Sequence, residues 1–121
     1  MNNRKVYTAI GLMSGTSLDG VDCALIETDG HGYVKPLAFV TAPYTDAERA
    51  VIRACFGMKE RSAPKIKEAE ALLTRKHIDA IKQIGGKADL IGFHGQTIYH
   101  APEDGLTVQI GDAAMMAKAV G

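Results

Sequence analysis

The chain has 121 residues, 46% hydrophobic and 23% charged, a size and mixture that suit one globular domain and leave no room for two. Its 14 Lys and Arg balance 14 Asp and Glu, so no basic face offers itself to nucleic acid or an anionic membrane. An anionic ligand must therefore be held by local geometry.

No apolar run approaches the ~18 residues of a membrane span. The opening MNNRKVYTAIGLMSG has its apolar run broken by Tyr7 and Thr8, which argues against a signal peptide. The reading is a cytoplasmic protein. Cys23 and Cys55 lack a CxxC spacing, so zinc and dithiol chemistry have no support. They read as two reduced thiols, with a disulfide as the alternative.

Residues 5–13 (KVYTAIGLM) predict a buried strand that runs into the polar loop 14–20, SGTSLDG. Residues 21–28 predict a second strand, with Val21, Cys23 and Leu25 on one face and Asp22, Ala24 and Ile26 on the other. The turn Asp29-Gly30-His31-Gly32 leads to a third strand over 33–44, interrupted by Pro36 and closed by Pro43. Three extended segments joined by turns containing Asp-Gly suggest an antiparallel meander.

Thr45 and Glu48 have capping-box spacing, so a helix is expected from about Asp46 to Phe56, ended by Gly57. A polar connector follows, then a helix over 63–84. Its Ile66, Ala69, Leu73, His77, Ala80, Ile81 and Ile84 recur at three- and four-residue spacing, and Gly85-Gly86 closes it. Residues 89–94 (DLIGFH) predict a short strand buried on both faces and hence parallel to a neighbour. Residues 97–100 and 106–110 predict a hairpin, and 112–120 (DAAMMAKAV) a helix with Asp112 as N-cap. The sum is an α/β arrangement with a mixed sheet. GxGxxG and GxxxxGK[ST] are both missing, so a nucleotide would have to bind by another route.

The chemistry concentrates in residues 11–22, GLMSGTSLDGVD. By composition this is either a plain hairpin turn or an anion cradle. In the second case backbone N–H groups and the hydroxyls of Ser14, Thr16 and Ser17 would face the anion. Asp19 and Asp22 would repel phosphates directly but could share a Mg²⁺ with them. His94 and His100 with Asp112 could be drawn as a metal site, but the spacing is weak, and pocket lining or a structural role is preferred. His31 reads as solvated and His77 as partly buried.

The string GLMSGTSLDGVD resembles the first phosphate loop of the anhydro-N-acetylmuramic acid kinases, of the hexokinase–actin–chaperone ATPase superfamily. IGFHGQTIYHAP, residues 91–102, is similar to that family's HGQT-x-x-H-x-P segment, and LTVQIGD, residues 106–112, to its following strand and turn. The resemblance covers essentially the whole chain. It implies a ribonuclease H-like, actin-like ATPase fold, with ATP and Mg²⁺ in a cleft between two such domains, and suggests a homodimer.

Carried over residue by residue, the resemblance assigns ATP binding to Gly15, Thr16, Ser17, Leu18, Asp19, Gly20, Val21 and Asp22. Asp19 would reach Mg²⁺ through ATP, and His94, Gln96, Thr97 and His100 would contact the sugar. The implied reaction opens 1,6-anhydro-N-acetylmuramic acid with water and phosphorylates its 6-oxygen, during peptidoglycan recycling. The family's general base is an aspartate in a later glycine-rich motif. Residues 1–121 are therefore expected to be the N-terminal part of the kinase domain, without a catalytic residue of their own and inactive in isolation. Two other classes fit the residues less well. A two-metal nuclease of the same fold needs a carboxylate in the first strand, and residues 5–13 have none. A non-catalytic nucleotide-binding or assembly module has no reason to carry the HGQT segment.

Overall fold

The structure is a computed structural model that describes residues 5–15, 17–60, 62–85, 88–101, 103 and 105–120. Thr16, Gly86 and Pro102, which enter the sequence readings above, lie outside the described residues. Strand β1 (Tyr7–Ser14) pairs antiparallel with β2 (Gly20–Thr28), and β2 with β3 (Val34–Pro43). Helices α1 (Asp46–Arg53) and α2 (Pro64–Ile84) follow, then β4 (Leu90–Phe93), which runs parallel to β1. The sheet order is β3-β2-β1-β4. Strands β5 (Gln96–Ala101) and β6 (Leu106–Ile110) form a separate antiparallel pair, and α3 (Ala113–Val120) closes the described chain.

The period-2 pattern decides which face is covered. Ile10, Leu12, Val21, Cys23, Leu25 and Ala42 are buried on the inner face, where α2 lies across β2 and β3. From α2, Ile66, Ala69, Leu73, His77, Ala80 and Ile81 are buried, as their spacing predicts, together with Thr74 and Ile78. Cys23 and Cys55 are both buried and both free thiols. The opposite face of the sheet carries Met13, Phe39 and Leu90, with Phe39 65% exposed.

Pro36 does not interrupt the third strand. It lies opposite Ile26 on an edge strand, where the register shifts between Leu25 and Ile26, and edge strands and bulges tolerate proline. Strand β4 is parallel as expected but not buried on both faces, since Leu90 is 57% exposed. Its apolar run ends the sheet order as an edge strand.

The helix ends follow the side chains. Thr45 Oγ1 accepts from Glu48 N at 3.1 Å and Glu48 Oε1 from Thr45 N at 2.8 Å, a complete capping box. Helix α1 stops at Arg53 rather than Phe56, because Cys55 N and Phe56 N donate to Ile52 and Arg53 carbonyls in tighter i→i+3 turns that run on to Gly57 at φ 86°. Gly85 closes α2 in the left-handed region, at φ 70°. Met115 N donates to Asp112 Oδ1 at 3.0 Å, so Asp112 caps α3. No helix among the described residues is long and apolar enough to cross a membrane.

Candidate functional site

Strands β1 and β2 converge on residues 15–19, and the loop between them is fixed from three sides. Position 20, the first of β2, needs glycine, because a Cβ there would lie 2.7 Å from the Ala42 carbonyl oxygen and 2.9 Å from Pro43 Cα. Leu18 N donates to the Gly15 carbonyl at 3.1 Å, closing a turn. Leu18 itself sits at φ 56°, a conformation that costs a residue with a Cβ about 1–2 kcal/mol. Its side chain is fully buried, and burying a leucine returns about 1.5–3 kcal/mol.

Polar partners hold the same backbone. Arg49 Nε donates to the Leu18 carbonyl at 2.9 Å and Arg49 Nη2 to the Tyr44 carbonyl at 3.2 Å, while Tyr44 N donates to the Asp19 carbonyl at 3.2 Å. The loop therefore rests on the first turn of α1 and the end of β3.

Within that frame the predicted residues divide. Gly15, Ser17 and Asp19 are exposed, and Ser17 Oγ donates to Asp19 Oδ2 at 3.0 Å. Leu18, Gly20 and Val21 are buried and can present only backbone to a ligand. Asp22 lies on the outer face of the sheet, opposite Met13, and accepts from Thr41 Oγ1 at 2.8 Å. Two expected donors are spent internally. The Leu18 amide closes the turn, and the Ser14 hydroxyl is buried, bonded to Tyr44 Oη at 2.9 Å and to Gln96 Oε1. Ser14 ends β1 with its side chain on the inner face, in step with Ile10 and Leu12, which is why it turns away from the loop's open side.

The β5–β6 pair carries the second group. A register shift between Thr97 and Tyr99 leaves Thr97 opposite Gln109 and His100 opposite Thr107. The Gln109 Nε2 amide lies 2.9 Å from His94 Nε2, so that ring nitrogen accepts, and 3.4 Å from Thr97 Oγ1. His100 Nδ1 is 2.8 Å from Thr107 Oγ1. His94 and His100 are exposed and Thr97 is half-buried. Gln96 differs from its neighbours. It is 0% exposed, with Nε2 donating to the Thr97 carbonyl at 3.0 Å.

Gly95, at φ 78°, lets the two segments meet, because a Cβ there would lie 2.4 Å from the Ile110 carbonyl oxygen. Further along, Gly111 N donates to Glu70 Oε2 and Asp112 N to Thr74 Oγ1, each at 3.0 Å, which ties the end of β6 to α2. Sequence reasoning did not single out Tyr44, Arg49 or Gln109. Of these only Gln109 leaves a sequence signal, alternating with Thr107 in LTVQI.

Among the described residues no three His, Cys, Asp or Glu are placed to hold a metal ion, so His94, His100 and Asp112 do not form one. Asp19 is a single exposed carboxylate at the loop. That suits an ion such as Mg²⁺, which keeps several waters and takes one or two carboxylates beside substrate phosphates.

A mixed sheet in the order β3-β2-β1-β4, with a glycine-containing loop between its first two strands, has the ribonuclease H-like architecture of the actin-like ATPases. Residues 7–121 match the family described as Anhydro-N-acetylmuramic acid kinase, and the chain belongs to that family. A protein of that name from Rhizorhabdus wittichii is 50% identical over 125 aligned residues, covering 93% of this chain and 34% of the relative. One from Zymomonas mobilis is 50% identical over 92% of this chain and 34% of its own length. A third, from Rhodopseudomonas palustris, is 44% identical over 95% of this chain and 35% of its own length. The chain thus spans about a third of the length of the curated relatives it matches.

Proposed function

We propose that the chain is the phosphate-binding part of an ATP-dependent kinase acting on 1,6-anhydro-N-acetylmuramic acid. In the longer protein the anhydro ring is opened with water and the 6-oxygen phosphorylated, giving N-acetylmuramic acid 6-phosphate for peptidoglycan recycling in the cytoplasm. The general base lies in sequence beyond residue 121, and the working unit is a homodimer. The observation that carries this reading is a family match over residues 7–121 that includes both the loop and the β5–β6 pair.

Residues 15–22 hold the phosphates of ATP, with Gly15, Ser17 and Asp19 on the exposed side, Gly20 and Val21 offering only backbone, and Leu18, whose amide closes the turn, shaping the loop from within. Thr16 belongs to the same motif. Transfer of this kind depends mostly on positioning and charge neutralisation, and Mg²⁺ supplies the second when bound with ATP. Asp19 would hold that ion on the loop side, while Asp22 accepts from Thr41 across β2 and β3. His94, Thr97 and His100 present the polar side of the β5–β6 pair to the sugar.

The test is phosphorylation of the anhydro-sugar by the full-length protein with ATP and Mg²⁺. Asp19→Ala is expected to lower kcat/KM by at least about tenfold, the equivalent of ~1.4 kcal/mol. Unchanged turnover in that variant would remove the metal-linked role of Asp19. No phosphorylation by the wild type would remove the kinase reading.

A further inference from the structure

The segments assigned above to phosphate and to sugar are joined by one buried chain of hydrogen bonds. Gln96 Nε2 faces the Thr97 carbonyl at 3.0 Å, which only an N–H can satisfy, so Oε1 is the atom turned toward Ser14. Ser14 Oγ gives its single proton to that oxygen, and Tyr44 Oη, 2.9 Å away, must then be the donor to Ser14. The order is Tyr44 O–H to Ser14 Oγ, Ser14 O–H to Gln96 Oε1, and Gln96 N–H to the Thr97 carbonyl. All three side chains are buried, at 3%, 4% and 0% exposure respectively.

Each end of this chain rests on a candidate site. Ser14 is the last residue of β1, immediately before residues 15–19, and Tyr44 N also donates to the Asp19 carbonyl. At the other end, Thr97 is the residue whose hydroxyl receives Gln109 on the outer side of the pair. Among the described residues the β5–β6 pair shares no backbone ladder with the four-stranded sheet. Its orientation against β1 is therefore set by side chains and by single bonds such as Gly57 N to the Ile98 carbonyl at 2.7 Å.

We infer that Gln96 is a positioning residue: through Ser14 and Tyr44 it holds the phosphate loop and the polar side of the β5–β6 pair at a fixed separation, and it does not contact substrate. The inference rests on the kinase reading of the two segments and deepens it. Gln96 has no exposure, and its Oε1 and one of its two amide N–H groups are already bonded inside the fold, so burial keeps the side chain from a sugar hydroxyl. Its loss acts on both substrates at once, because it loosens the spacing between their sites.

The experiment uses the full-length protein with Gln96→Met, Ser14→Ala, the double variant and Tyr44→Phe. Steady-state KM values for ATP and for the anhydro-sugar are measured beside amide hydrogen exchange of peptides covering residues 14–20. One net hydrogen bond is worth about 0.5–1.5 kcal/mol, or roughly three- to tenfold in an equilibrium. Gln96→Met and Ser14→Ala are each expected to raise both KM values by about that factor. The double variant should be no worse than the poorer single, since both remove the same bond. Tyr44→Phe leaves the Ser14–Gln96 bond and should cause a smaller change of the same kind.

Exchange in residues 14–20 should quicken by a similar factor in Gln96→Met, although Gln96 is 82 positions from Ser14. A rise in the sugar KM alone for Gln96→Met, with the loop's exchange unchanged, overturns the inference and makes Gln96 a substrate contact. Additive losses in the double variant overturn it as well. If the wild type phosphorylates no anhydro-sugar, the kinase reading fails, while loop exchange still decides whether Gln96 holds the loop. Should Gln96→Met not fold, the Tyr44→Phe and Ser14→Ala exchange data decide the matter.

Discussion

Arg49 offers the sharpest test of how the loop between β1 and β2 keeps its shape. Replacing it with Met preserves the stem and removes the guanidinium that donates to the Leu18 carbonyl at 2.9 Å and the Tyr44 carbonyl at 3.2 Å. Bonds from a charged donor contribute about 1.5–3 kcal/mol each, and part of that is offset by the rotamer freedom Arg49 regains. The Arg49–Asp46 pair adds little, because Asp46 is fully exposed and surface pairs are worth ~0–1 kcal/mol. The expected loss is therefore about 2–4 kcal/mol. With a urea slope of roughly 2 kcal/mol per M, the unfolding midpoint should fall by about 1–2 M. Arg49→Lys should recover little, since one ammonium lacks the planar fork that serves two carbonyls at once. Asp46→Ala should move the midpoint only slightly. A midpoint for Arg49→Met matching that of the parent would refute the claim that this side chain holds Leu18 in its left-handed conformation.

Three further outcomes follow from geometry already described. Thr45→Ala removes one arm of the capping box and should cost about 1 kcal/mol, read by thermal or urea unfolding. Gly95→Ala meets a left-handed φ and a backbone oxygen 2.4 Å from the new Cβ, so it should cost more than about 3 kcal/mol. Gly30→Ala, with a similar φ and open space around it, should cost only about 1 kcal/mol, and equal effects in a melting experiment would contradict this account. His77 is fully buried, with Nδ1 donating to the Leu73 carbonyl at 2.6 Å and, among the described residues, no partner at Nε2, and burial pushes its pKa below the ordinary value of 6.5. The unfolded chain then binds a proton that the folded one refuses. Stability should be level above about pH 6.5 and fall as pH drops from there toward the lowered folded pKa. His77→Leu should remove this part of the pH dependence in unfolding titrations at successive pH values, and an unchanged slope would count against it.

Features decided within one turn of chain were readable in advance. Thr45 with Glu48, and Asp112 with the amide of Met115, are contacts three residues apart, so the residue types alone announce them. The face division of β2 follows from period two, and the buried side of α2 from period 3.6. Exposure of β4 was not readable, because LIGF reads the same whether a strand lies inside a sheet or at its edge. The loop shows the same boundary between local and distant causes. Its glycines and hydroxyls mark it as a turn or a cradle, but Ser14 was expected to face a ligand and instead bonds to Tyr44 and Gln96. Those partners are 30 and 82 positions away. Arg49 is 31 positions from Leu18, and nothing in AERAV distinguishes it from a solvated helix arginine. Inward or outward aim at a strand's end depends on partners that only the assembled fold supplies.

The left-handed Leu18, with its side chain sealed in the core, bears on energetics beyond stability. A ligand-gripping turn that is mobile when empty must freeze when filled, and that ordering subtracts from affinity. Here the aliphatic anchor beneath the turn sets the backbone before any guest arrives. On the proposed reading, association of an anion with this turn should carry a small entropic penalty from the protein, and off-rates should respond to the guest's own charge and shape more than to loop closure. A leucine invisible from solvent would then help govern how readily the turn accepts an anion.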